Sequence, residues 1–520
     1  MDKKLLQSLL KPEAFDEPTV SVRLVQTHVS FLFLTDNYVY KIKKEVDLGF
    51  LNFSTLDRRR FYCDEEVRLN RRLCPEIYLG VMEVRLGPEG LNLRGEGSIA
   101  DYAVKMKRLP AERMLDRLLD EDAVSDDDVR RIARTIAAFH LAADRGVEID
   151  CYGSLEVIRQ NWEENFNQLQ DFVGFTIDRR DLGIVRGWVD RFMAANEQLF
   201  SARVRDGFVR DCDGDIHAEN ICLGDTICIF DCIEFNSRFR YSDTAADIAF
   251  LLMDFDFHGK RRLAEVFIAE YRVQTGDDGV VSLVNFYKVY RAVVRSKVES
   301  FRLRDPHLSE EERSVAGKRA GRYFRLARGY CLRGNLSPTL LIMCGLMGSG
   351  KSTLADELSF ELGMDIFRSD VVRKELTSVG ATCHQYEAYG EGIYSREITE
   401  STYRALLSLA AQRLQAGYSV VIDASFRHRG DRLDFCELAK KHSANFVIVF
   451  SSCGDELTRQ RLAERMDRSD EVSDGRWELF ERQLRDFDSV TDDEGRCIFV
   501  DTSISFNDSI DRILQGIGLL

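Results

Sequence analysis

The hydrophobic pattern changes character twice along the chain. Residues 21–44, "SVRLVQTHVSFLFLTDNYVYKIKK", alternate apolar and polar positions, which predicts strands. The stretches "IYLGVMEVRL" (77–86) and "DYAVKMKRL" (101–109) read the same way. Between them, "STLDRRRFYCDEEVRLNRRL" (54–73) has helical spacing. Beyond residue 110 the pattern is mostly helical, broken by short strands at "ICL" (221–223) and "ICIFD" (227–231). A charged helix is expected at 306–325, and then "CLRGNLSP" supplies glycine and proline breakers. At 339–344 "TLLIMC" starts a new apolar strand, and strands then alternate with helices, the mark of a parallel α/β sheet. The predicted division is therefore 1–335, an α+β unit, and 336–520, an α/β unit.

Composition narrows the classes. Hydrophobic residues at 44% and aromatics at 10% are globular values. A length of 520 residues calls for two or three cores. No apolar run is long enough to span a bilayer. "MDKKLLQSLLKPEAF" lacks a signal peptide's apolar core and reads as a short first helix, so a cytoplasmic protein is expected. The net charge of −15 disfavours nonspecific nucleic-acid binding. The thirteen cysteines, including Cys228 and Cys232, are expected as buried reduced thiols, because no zinc-like C-x-x-C pair occurs.

"GLMGSGKST" matches G-x-x-x-x-G-K-[ST] between an apolar strand and a helix, the context a phosphate loop requires. Gly345, Gly348, Ser349, Gly350, Lys351, Ser352 and Thr353 are the expected nucleotide-binding residues, with Lys351 on the β- and γ-phosphates and Ser352 on Mg²⁺. Asp423 ends an apolar strand, where such sheets bind ligands, and is a second candidate for Mg²⁺. Asp370 follows a short strand and is the candidate base toward an attacking hydroxyl. Arg461, Arg465 and Arg468 share a helical face and are expected to close over phosphates as a lid; Arg465 and Arg468 are the catalytic candidates.

A second constellation stands upstream. "DGDIHAEN" (213–220) and Asp231 supply what phosphoryl transfer needs: a carboxylate for the hydroxyl, and an amide and a carboxylate for Mg²⁺. Asp215 and Asn220 have the protein-kinase separation, and Asp231 follows a short hairpin. Lys41 on a strand with Glu65 or Glu66 on the next helix completes the arrangement, Glu66 being the choice. His217 reads as a histidine that fixes the loop. Glu234 reads as a surface acid or a supporting one, not a ligand. A G-x-G-x-x-G loop is missing; "QTHVSFLF" stands in its place.

Two resemblances follow from these motifs. Residues 20–330 resemble the aminoglycoside phosphotransferase family through "DGDIHAEN", "IFDCIEF", "IARTIAAFHLAAD" and "YSDTAADIAFL". The resemblance implies a kinase-like fold with Asp215 as base, Asn220 and Asp231 as metal ligands, Lys41 on the phosphates, and Asp247 as a buried structural carboxylate. The first histidine of that signature is Asp213 here, which adds negative charge beside Asp215. The C-terminal part resembles the P-loop kinases that include zeta toxins and polynucleotide kinases, through "GLMGSGKST", "RSDVVRKEL", "GYSVVIDASF" and "RLAERMDR". This implies Asp370 as base, Arg373 as a substrate contact and the lid arginines named above. The whole layout resembles a bacterial family of two-domain kinases. The resemblance names no acceptor; the leading reading is an ATP- and Mg²⁺-dependent kinase for hydroxyl groups of small molecules, at one or both sites. Two alternatives stand beside it: a polynucleotide 5′-hydroxyl kinase in the C-terminal part, or an ATP-binding regulatory protein with an inactive N-terminal domain.

Overall fold

A computed structural model describes residues 3–95, 97–306, 308–377, 392–466 and 477–520. Contacts divide the chain into two units, Met1–Ala327 and Arg328–Leu520. The division falls within the helix Glu310–Arg333.

The N-terminal unit opens with a six-stranded antiparallel sheet. Its strands are β1 (Arg23–Gln26), β2 (Ser30–Leu34), β3 (Tyr38–Lys43), β4 (Tyr78–Gly87), β5 (Gly90–Asn92) and β6 (Ser98–Lys107), in spatial order β1-β2-β3-β6-β4-β5. Successive residues of a strand face opposite sides. Phe33, Tyr40, Ile42 and Ala103 face the N-terminal turns and pack on Leu6, Leu9 and Phe15. Tyr102, Val104 and Met106 face the other way, toward Cys63 and Val67 of the helix Leu56–Asn70. That alternation sends Lys41 and Lys43 to the same side as this helix.

The rest of the unit is mainly helical. Two short ribbons interrupt it: β7 (Val209–Asp211) with β10 (Tyr241–Asp243), and β8 (Ile221–Leu223) with β9 (Ile227–Ile229). Between β7 and β8 lies "DGDIHAEN". Every residue of the helix Thr244–Phe257 is buried, so its carboxylates need partners inside the protein. An antiparallel sheet, a helix packed on one face of it and, past the turn Ala111–Arg113, a mainly helical half make this an α+β, protein-kinase-like fold.

In the C-terminal unit, β11 (Thr339–Cys344), β12 (Asp365–Arg368), β13 (Val420–Asp423), β14 (Asn445–Ser452) and β15 (Arg496–Asp501) form a parallel sheet in the order β12-β13-β11-β14-β15. All six residues of central β11 are buried, which explains its unbroken apolar run. This is the α/β P-loop fold. No described helix is long and apolar enough to cross a membrane.

One expectation is corrected. Cys228 is not a reduced thiol; it forms a disulfide with Cys74, with Cα atoms 4.9 Å apart. The chain just past the Leu56–Asn70 helix and strand β9 pack in one apolar cluster, so two cysteines distant in sequence meet. Cys232, in contrast, is in no disulfide.

Candidate active sites

In the N-terminal unit Glu66 is fully buried between two lysines of β3. Its Oε1 lies 2.9 Å from Lys41 Nζ and its Oε2 lies 2.6 Å from Lys43 Nζ. Burial pushes the Glu66 carboxyl up, but the two ammonium groups outweigh it and hold it well below the usual range. Glu65 instead pairs with Arg68. Lys41 also lies 2.5 Å from Asp231 Oδ1. Burial opposes its charge, yet Asp231 and Glu66 keep the ammonium protonated. Lys43 is paired with Glu234, whose side chain is buried, so Glu234 is not a surface acid. The sequence held a signal for Lys43: in "YKIKK" it shares a strand face with Lys41.

Asp231 leaves β9 with a φ of 66°. This left-handed conformation costs a non-glycine residue about 1–2 kcal/mol. Its neighbours hold it there. The Asp231 N–H donates to the Tyr78 hydroxyl at 3.2 Å, and the Cys232 N–H donates to Asn70 Oδ1 at 2.9 Å.

The loop carrying Asp215 hangs from buried groups. Asp247 accepts the N–H groups of Asp213 and Gly214 at 3.0 and 2.8 Å, and Asp254 accepts that of Ala218 at 2.9 Å. Arg291 donates to the carbonyls of Gly214 and Ala246 at 2.9 and 3.0 Å. His140 Nε2 lies 3.1 Å from Asp247, and its Nδ1 lies 2.8 Å from the Tyr271 hydroxyl. Asn220 Nδ2 donates to Asp215 at its backbone oxygen and at Oδ2, both 3.2 Å. His217 is buried, with Nε2 3.5 Å from Asp215 Oδ2. Burial lowers its pKa, and the Asp215 charge more than reverses this.

Asp213 is also buried, and its Oδ1 accepts the Asp215 N–H at 3.1 Å. Burial first, then the Asp247 charge, pushes its pKa up to about 8. Burial thus favours its neutral form, against the expectation of an added negative charge beside Asp215. Lys41, Asp215 and Asp231 line one cleft of about 340 Å³. Asn220 and Asp231 offer amide and carboxylate oxygens, the hard donors that suit Mg²⁺. The Asp231 carboxylate is 47% exposed, so it is accessible to such an ion.

In the C-terminal unit the loop after β11 depends on its glycines. A Cβ at Gly345 would run into the Ser451 carbonyl oxygen, and Gly350 precedes the helix Lys351–Leu362 with a φ of 86°. Lys351 Nζ donates to the Leu346 carbonyl at 2.7 Å, and Ser349 Oγ lies 2.8 Å from Ser451 Oγ. Gly348 packs under the helix Asp455–Met466: a Cβ there would stand 2.9 Å from a Thr458 methyl. Thr353 and Gly350 line a cavity of about 290 Å³ with Arg461, Thr502 and Phe506.

Asp423 ends β13 and is buried. Burial raises its pKa, opposed by the Lys351 charge and a hydrogen bond with Ser352. Asp370 is the second residue of the helix Ser369–Leu376 and accepts from Arg373 Nη1 at 2.8 Å. Lys351, Ser352, Asp370 and Asp423 thus converge at one end of the sheet. Ser352 and Asp423 again offer the oxygens a magnesium ion takes.

The lid expectation is corrected at Arg461. Its guanidinium donates to Thr502 Oγ1 and to the Thr502 carbonyl, both at 2.8 Å, so it fastens the loop region from the side. The Arg465 side chain and Arg468 lie outside the described residues. Thr502 escaped the sequence reading. Its hydroxyl donates to the Ser349 carbonyl at 2.9 Å, and its one signal is its place just past a strand end.

Residues 340–490 match the family model described as AAA domain. An adenylate kinase of Micrococcus luteus is 26% identical over 192 residues, 34% of this chain and 90% of that protein. Among solved structures, a sugar kinase from Janibacter covers 35% of this chain and 95% of its own, with 21% identity and a TM-score of 0.29. A choline/ethanolamine kinase family protein from Mesorhizobium loti covers 64% and 98%, with 12% identity and a TM-score of 0.36. The uncharacterized protein Rv2004c of Mycobacterium tuberculosis is 30% identical over 461 residues, spanning 88% of this chain and 89% of that protein. The chain, a kinase-like domain followed by a P-loop kinase domain, belongs to the same family as Rv2004c.

Proposed function

We propose that the chain is an ATP- and Mg²⁺-dependent phosphotransferase acting on hydroxyl groups of small molecules, with one site in each unit. The observation that carries this reading is the meeting of the Lys41–Glu66 pair, Asp231 and Asp215 in one cleft. Lys41 binds phosphate oxygens, and Glu66 fixes the direction of its ammonium. Asp215 accepts the acceptor's hydroxyl proton. The hydroxyl oxygen bonds to the γ-phosphorus as the bond to the β,γ-bridging oxygen breaks, and ADP leaves. Asn220 and Asp231 would hold Mg²⁺, which would supply positive charge against the phosphates. In the C-terminal unit Lys351 takes the phosphates, Ser352 and Asp423 would hold Mg²⁺, and Asp370 takes the proton. The similarity to an adenylate kinase supports nucleotide chemistry.

Calorimetry on the full chain tests the reading. The wild type is expected to bind two equivalents of ATP·Mg²⁺. Lys351→Ala removes one, Asp231→Ala removes the other, and chelating Mg²⁺ weakens both. Asp215→Asn keeps nucleotide binding but lowers transfer at its site by about 10²–10⁴-fold. A wild type that binds one equivalent, or an Asp231→Ala protein that still binds two, refutes the two-site reading.

A further inference from the structure

The cleft of the N-terminal unit extends past Asp215 between two helices. One wall is a stripe of the helix Val281–Arg302: Tyr287, Tyr290, Arg291, Val294, Lys297 and Val298. Their spacing of three and four places them on one helical face. The facing wall comes from the helix Leu155–Leu169 through Ile158, Asn161, Trp162 and Asn165. Arg291 bonds the Gly214 carbonyl beside Asp215, so the first of these helices passes against the catalytic loop. Lys297 lies further along it, roughly 9 Å down the axis. Lys297 and Asp215 line the same cleft.

The charges in this cleft are unequally paired. Glu164 is bound by Arg238 and Asp243 by Arg203. Asp231 and Glu234 are bound by Lys41 and Lys43. Arg291 is held by backbone carbonyls. Lys297 differs from all of these. Its ammonium donates to the neutral Asn165 Oδ1 at 2.6 Å, and no described carboxylate lies within salt-bridge distance. Burial, the largest influence, pushes its pKa down to about 8; Glu164 attracts the charge and Arg238 repels it. A desolvated ammonium without a counter-ion is unfavourable unless an anion arrives.

We propose that the acceptor of the N-terminal site is a small hydroxyl compound bearing an anionic group, a carboxylate or a phosphate, and that Lys297 binds that group. The aromatic side chains Trp162, Tyr287 and Tyr290 cover its carbon skeleton. A cationic acceptor would meet the same aromatic faces but would be repelled by Lys297, while Glu164, the acid nearest to it, is already neutralised by Arg238. The proposal rests on the phosphotransferase reading, with Asp215 taking the hydroxyl proton.

The test uses the full-length protein carrying Lys351→Ala, so that the P-loop contributes no phosphate binding. D-glycerate, glycerol 3-phosphate, glycerol and choline are titrated calorimetrically at pH 7 and one ionic strength. At least one anion is expected to bind more tightly than glycerol and choline, and the two anions distinguish a carboxylate ligand from a phosphate. Lys297→Met should weaken anion binding by about tenfold or more, and Lys297→Arg should restore most of it. Tighter binding of choline or glycerol than of both anions overturns the proposal. So does anion binding that Lys297→Met leaves unchanged in a folded protein, or binding by neither anion. If Lys297-dependent anion binding is seen but ATP yields no phosphorylated product, the phosphotransferase reading fails and the anion site stands. If product forms from choline or glycerol alone, the reading stands and the anion site falls.

Discussion

Asp213 links one side chain to the pH behaviour of a whole loop. Its folded-state pKa, about 8, stands far above the ordinary 3.8. Between about pH 4 and 8 the folded protein therefore holds a proton that the unfolded chain has released. Stability falls as pH rises through that window, by at most about 1.4 kcal/mol per pH unit from this one group. Asp213→Asn keeps an acceptor for the Asp215 N–H and removes the titration. Its melting temperature should match the wild type near pH 4 and exceed it increasingly up to pH 8, beyond which the gap is constant. Thermal melts across pH 4–9 measure this, and a gap independent of pH would show that Asp213 is ionised throughout. Position 213 also marks a limit of sequence reading. The departure from the histidine was visible, but its charge state depends on burial and on Asp247, 34 residues away.

At the scale of elements, the helix Val281–Arg302 joins catalytic loop and cleft wall. Arg291 satisfies two buried carbonyls of two different segments. Arg291→Met should leave the Gly214 carbonyl without this donor, while the Ala246 carbonyl keeps its bond within the helix, and cost about 1–3 kcal/mol. Because the Gly214 carbonyl adjoins Asp215, transfer at the N-terminal site should also fall, with ATP affinity little changed. Denaturant unfolding and nucleotide titration separate the two effects; lost nucleotide affinity would place Arg291 on the wrong side of the site. This helix also shows why part of the site was hidden. Strand alternation announced Lys41, and motif spacing announced Asp215, Asn220 and Asp231, because those signals are local. The Arg291 and Lys297 contacts join segments 77 and 132 residues apart, and no local period records them. The Cys74–Cys228 disulfide was missed for the same reason. In the P-loop unit more was legible, since loop, strand ends and acids follow one another along the chain. Arg461 was misread because helical spacing gave its face but not what that face packs on.

At the scale of the molecule, the turn at 334–338 does not mark where the C-terminal unit begins. Arg328 and Arg333 lie before that turn, yet both find their partners within the C-terminal unit. Arg328 meets the fully buried Glu361 carboxylate at 2.7 Å, and Arg333 donates to the Glu361 carbonyl at 2.9 Å. A fragment 336–520 keeps the Glu361 carboxylate and loses its guanidinium, a cost of up to about 3–5 kcal/mol where that carboxylate stays out of water. A fragment 310–520 keeps the pair. The longer fragment should unfold at clearly higher denaturant concentration, and Glu361→Gln should rescue part of the shorter one. Equal midpoints for both fragments would mean that water reaches Glu361. Recombination between relatives of this chain faces the same constraint. A crossover in the turn exchanges one P-loop unit for another but leaves behind the arginine that neutralises it. The heritable module thus begins inside the helix, no later than Arg328, well before the glycine that announces it.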